Sequence, residues 1–62
     1  MKSSEFHRTI RRNGWTHIRT RGSHYLYRKD GEIISVPYHG AKEMAEGIRL
    51  MFIKKMNLNT TL

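Results

Sequence analysis

The chain has 62 residues, no cysteine, and twelve Lys and Arg against five Asp and Glu, for a formal charge of +7 and a sequence pI near 10.4. So short a chain holds one domain with a thin core, and without cysteine neither disulfides nor thiolate zinc sites can reinforce it, which leaves an efficient fold or a bound partner. Its longest apolar run, from Leu50 to Ile53, falls far below the roughly 20 residues that cross a bilayer; the opening MKSSEFHRT lacks the apolar centre of a secretory signal, so the expected location is the cytoplasm.

The charge is unevenly spread. Lys2, Arg8, Arg11, Arg12, Arg19, Arg21, Arg28 and Lys29 meet a single acid, Glu5, before Asp30. A field of that sign attracts polyanions, and the Arg bias points to phosphate, whose oxygens the guanidinium fork matches in pairs. A merely soluble basic surface would carry the same charge without that bias or the interleaved aromatics.

In chain order, Ser3 or Ser4 can cap a first helix with Glu5 in its first turn, and Asn13-Gly14 supplies the stop. Phe6 and Ile10 form its apolar stripe, while Arg8, Arg11 and Arg12 fall on another face. The β-branched and aromatic run from Trp15 to Thr20 reads as a strand, Arg21-Gly22-Ser23 as a turn, and His24 to Arg28 as a second strand. Lys29-Asp30-Gly31-Glu32 is a second turn, and Ile33 to Val36 a third strand that Pro37 ends. Beyond Tyr38-His39-Gly40 the period becomes helical, with Ala45, Ile48, Phe52 and Met56 as the buried stripe and Asn57 as a left-handed cap over which Leu58 folds back. Leu50 and Ile53, away from that stripe, fit either a wider core or a second buried surface such as a partner or homodimer contact. The order α-β-β-β-α predicts a two-layer α+β fold with a three-stranded antiparallel meander and both helices on one face. Residues 1–58 are expected to form the domain, and 59–62 a frayed tail.

Trp15 is expected in the core. Tyr25 and Tyr27 share one face of their strand, so they are either both in or both out; these tyrosines and Tyr38 could otherwise stack on unpaired bases.

Four histidines, His7, His17, His24 and His39, stand at separations of 10, 7 and 15 positions. That spacing matches no local metal motif, so no metal site is expected. Imidazole is suited to acid–base work near neutral pH, and RNA carries its own nucleophile: a base that takes the ribose 2′-OH proton lets that oxygen attack the adjacent phosphorus, with cations stabilising the developing charge. His24 follows a Gly-Ser turn where backbone can approach a phosphate and sits between Arg19, Arg21 and Arg28; His39, before the second helix, is the alternative.

Gly14-Trp15, Arg19, Gly22-Ser23-His24, Val36-Pro37, His39 and Lys42, with the opening Met1-Lys2-Ser3-Ser4-Glu5 and Gly47 in the closing helix, resemble the HicA toxin family without a gap as far as Leu58. The sequence departs from the family pattern at Gly40-Ala41, where a more basic or prolyl stretch is expected, and at Arg49, where an apolar residue is. The resemblance implies a double-stranded-RNA-binding-domain-like fold, translation-independent mRNA cleavage, neutralisation by a HicB antitoxin, no bound cofactor, and His24 as the catalytic residue. The resulting expectation is a metal-independent endoribonuclease toxin with His24 as general acid or base, Arg19 and Arg21 on the phosphate, and Gly22, Ser23, Arg28, His39 and Lys42 as further RNA contacts. Its rivals are a non-catalytic RNA-binding module of the same fold and an inactive partner protein, and a homodimer or a larger toxin–antitoxin assembly is a possible state.

Overall fold

The computed structural model describes residues 1–60. Helix α1 (Ser3–Arg12) leads into strands β1 (Thr16–Arg21), β2 (His24–Lys29) and β3 (Glu32–Pro37), and helix α2 (Glu46–Lys55) closes the order. The sheet is an antiparallel meander, β1-β2-β3, as the sequence predicts. Both hairpins turn in two residues. Gly22 has φ 59° in the first, and Asp30 and Gly31 have φ 50° and 82° in the second, backbone angles that tight hairpins require and that Gly and Asp tolerate.

Cross-strand partners share a face, so Tyr25 and Tyr27 lie on the same side as Val36 and Ile34. Phe6 and Ile10 from α1, Phe52 from α2 and Met56 at its C-terminal cap pack there with Trp15, Tyr27, Ile34, Val36 and Leu58, which places both helices on one side of the sheet. Trp15 is a core residue, Tyr27 is fully buried and Tyr25 half-buried. The other side, with His24, Leu26, Arg28, Ser35 and Ile33, is left uncovered.

Two expectations for the helices are corrected. The cap of α1 is Lys2, whose N–H donates to Glu5 Oε1 at 2.9 Å. Neither Ser3 nor Ser4 caps: their N–H groups donate to the carbonyls of Lys42 and Gly40, each at 2.9 Å, and Ser3 Oγ accepts the His39 N–H at 3.1 Å. The segment after β3 thus supplies the acceptors that a helix N-terminus needs, with Gly40 at φ 58° turning the chain to do so. In α2, only Phe52 and Met56 of the expected stripe are buried; Ala45 and Ile48 are exposed, because the helix ends against the core rather than lying along it. Ile53 packs on the core while Leu50 is half exposed, so these two residues do not form one second surface. Arg49 is half-buried on the core side of the helix.

The exit from α2 follows the sequence reading, with Asn57 at φ 53° and the buried Leu58 donating its N–H to the Ile53 carbonyl at 2.9 Å. Asn59, expected in a frayed tail, is instead held: its N–H donates to Asn13 Oδ1 at 2.7 Å, and Asn13 Nδ2 donates to the carbonyls of Asn59 at 3.1 Å and Thr9 at 2.8 Å. Residues 61–62 of the expected tail lie outside the described residues. Replacing Asn13 with Ala removes all three bonds and should cost about 1 to 2 kcal/mol, a fall in Tm on the order of 5 to 15 °C. A thermal melt with less than roughly 2 °C of change would mean that water replaces the clasp without loss.

Candidate active site

The uncovered side of the sheet gathers the predicted residues. His24 opens β2, directly across from Arg21 on β1 and Pro37 on β3; Leu26, two residues along, faces Arg19 and Ser35, and Arg28 faces Thr16 and Ile33. His24, Arg19, Arg21 and Arg28 are all exposed. Arg21, His24, Leu26 and Ser35 line an open depression of about 440 Å³. A phosphodiester resting there would have an imidazole and a guanidinium at hand across the two-residue turn.

An irregularity creates this grouping. Between His17 and Arg19 the register shifts by one residue, so that Ile18 bulges from β1. Strict alternation from His17, whose partner Tyr27 faces the helices, would send Arg19 and Arg21 to that same buried side. The extra residue reverses the parity, and both arginines emerge beside His24.

Gly22 and Ser23 form the turn itself, and the Ser23 carbonyl accepts the Tyr38 N–H at 2.7 Å. That bond ties the segment after β3 to the hairpin bearing His24. His39 and Lys42 lie on this segment, both exposed, with the Lys42 N–H donating to the His39 carbonyl at 3.1 Å and the segment held on the N-terminus of α1. They therefore belong to a neighbouring surface, and only the hairpin residues share the sheet face with His24.

The histidines occupy separate settings, and among the described residues no three of His, Asp and Glu converge as a ligand group. His7 is fully buried. Its Nε2 lies 2.8 Å from the Pro37 carbonyl, which can only accept, so Nε2 carries the proton and Nδ1 accepts from the Tyr27 hydroxyl at 2.6 Å. Burial lowers the His7 pKa below its ordinary value of 6.5, partly opposed by the Pro37 bond, and raises that of Tyr27. Both groups are thus held neutral at pH 7. Residue-by-residue reading missed this network, although Ser3, Phe6, His7 and Ile10, all buried, follow the i, i+3, i+4, i+7 spacing of one helix face. Around it, His17 stacks on Tyr25 (ring centroids 4.3 Å apart, 3° between planes), and Tyr25 stacks on Tyr38 (4.5 Å, 17°).

Such an arrangement defines a class: a small α+β module whose helices cover one side of a sheet and whose other side exposes a histidine among arginines. The chain matches, over residues 3–58, the family model described as the HicA toxin of bacterial toxin–antitoxin systems. A protein of Pseudomonas fluorescens (strain Pf0-1) described as a probable mRNA interferase HicA is 40% identical over 58 residues, which cover 94% of this chain and 97% of that relative. No solved structure matches significantly. The chain belongs to the HicA toxin family. Among the described residues, no helix is long and apolar enough to cross a membrane.

Proposed function

We propose that this chain is the toxin of a toxin–antitoxin pair, an endoribonuclease that cleaves mRNA without a metal ion and is neutralised by a HicB-type antitoxin. The observation that carries the reading is the pairing of exposed His24 with Arg21 across a two-residue turn, on a face that also holds Arg19 and Arg28. Family membership and the name of the Pseudomonas relative support it.

In the proposed mechanism, Arg19, Arg21 and Arg28 hold consecutive phosphates, and the Gly22-Ser23 turn lets the backbone approach the scissile one. The His24 imidazole takes the proton from the ribose 2′-OH as the 2′-oxygen bonds to phosphorus. The bond from phosphorus to the 5′-oxygen breaks, and that oxygen leaves with a proton from the imidazolium or from solvent. The guanidinium of Arg21 offsets the charge that develops on the phosphoryl oxygens. His39 and Lys42, on the adjoining surface, extend the contact along the strand.

This chemistry fixes the products: a 2′,3′-cyclic phosphate on the upstream fragment and a 5′-hydroxyl on the downstream one. Incubation of the native chain with mixed mRNA in EDTA should therefore give fragments that polynucleotide kinase labels directly at the 5′ end. A 5′-phosphate on the downstream fragment, or cleavage that stops in EDTA, would overturn the mechanism. RNA binding with no cleavage under any ionic condition would leave the non-catalytic binding module as the better reading.

A further inference from the structure

We propose that the exposed side of His17 is a stacking subsite for an unpaired nucleobase of the RNA substrate. The inference rests on the RNA reading above and adds to it a residue that contributes affinity and base preference. His17 pairs in register with Tyr27, yet its ring lies on Tyr25, nearer the β1–β2 hairpin. The bond between its Nε2 and Thr20 Oγ1, 2.9 Å long, holds it there. The result is a three-ring stack, His17 on Tyr25 on Tyr38, with one end in solvent, since every residue of β1 is exposed.

The stack is fixed from within. The buried ring of His7 stands nearly perpendicular to Tyr25 (centroids 5.1 Å, 74°) and Tyr38 (5.0 Å, 86°), and is itself locked by its bonds to Tyr27 and Pro37. A flat ring already held in place loses little freedom when a base lies on it, so more of the stacking energy appears as affinity. Packing alone does not account for an aromatic residue left exposed on a sheet edge and turned from its register partner toward the hairpin.

Position points to the substrate. Tyr25 directly follows His24, and Thr20, which holds the His17 ring, directly precedes Arg21. Stack and His24 thus occupy the same end of the sheet on opposite sides, separated by the free edge of β1. A strand whose phosphates lie on Arg21 and Arg19 can turn one base over that edge onto His17. The Nε2 bond to Thr20 fixes the plane of the ring, and it is the flat face that is offered to a base. The subsite should accept any base and favour purines, whose ring area is larger.

The test uses the full chain with His24→Ala, so that RNA is bound but not cut, and single-stranded RNA carrying 2-aminopurine at one position in turn. Stacking should quench the fluorescence strongly at one position. Adding His17→Ala should abolish that quench and weaken RNA binding on the order of tenfold, whereas His17→Phe should keep both, with the circular dichroism unchanged throughout. If RNA binds but no position is quenched, or the quench survives His17→Ala, the subsite is refuted while the RNA reading stands. If His17→Ala leaves RNA affinity intact and instead weakens binding of the purified antitoxin, the ring serves a protein contact and the proposal fails. Absence of RNA binding by the His24→Ala chain would overturn both readings.

Discussion

Replacing His24 with Ala should lower the rate of mRNA cleavage by about 100- to 10,000-fold, the range that one positioned general acid–base group supplies, or roughly 3 to 5 kcal/mol of transition-state stabilisation. Affinity for RNA should change by no more than a few-fold, because the phosphates are held by Arg19, Arg21 and Arg28. The fold should be unaffected, since His24 is an exposed side chain at the start of β2 and its backbone pairing with Arg21 and Pro37 does not depend on the ring. Single-turnover cleavage beside a binding titration separates the two effects. Retention of more than about a tenth of the native rate would move the catalytic role to His39, which is exposed on the segment that the Tyr38–Ser23 bond ties to this hairpin.

The second large effect concerns stability. His7→Ala empties a site enclosed by three tyrosines and leaves the Pro37 carbonyl and the Tyr27 hydroxyl without their partner. Truncating a buried ring while stranding polar groups costs roughly 3 to 5 kcal/mol, comparable to the whole stability expected of a domain this small. The variant should be largely unfolded at 37 °C in urea titrations extrapolated to water. The native chain should also show a pH dependence of defined sign. Because burial holds the His7 pKa below 6.5, the unfolded chain takes up a proton near 6.5 that the folded chain resists. This contribution to stability is complete above about pH 6.5 and declines as pH falls below it. His7→Gln, whose amide can donate to Pro37 and accept from Tyr27, should remove that part of the slope. An unchanged slope between pH 7 and pH 5 would place the titration elsewhere.

Much of the architecture was legible because local signals agreed. Asn13-Gly14 ended α1, Asp30-Gly31 turned the second hairpin, and strand alternation put Tyr25 and Tyr27 on one face, although only the packing of the helices decided which. The errors came where a distant segment supplied what a local residue was expected to supply. Ser3 and Ser4 have the chemistry of N-caps, but the carbonyls of Lys42 and Gly40 reach the same N–H groups, which frees the Ser3 hydroxyl to accept from His39. Likewise, the periodicity of α2 fitted a buried stripe from Ala45 to Met56, yet a three-stranded sheet is too small to cover its first turn, and Ile48 stays exposed.

The candidate site divides in the same way. By itself the sequence determined a basic α+β domain, identified the Gly22-Ser23-His24 turn, and placed arginines near it in the chain. It did not determine that those arginines and His24 share a face, since alternation counted along β1 puts Arg19 and Arg21 on the side of His17. Tertiary structure decided that point through the bulge at Ile18, because the parity of a strand is set by its pairing with the neighbouring strand and a single unpaired residue reverses it. It also decided the role of His7, since whether a histidine is buried and neutral or exposed and available depends on which groups from other elements, here Tyr27 and Pro37, close around it.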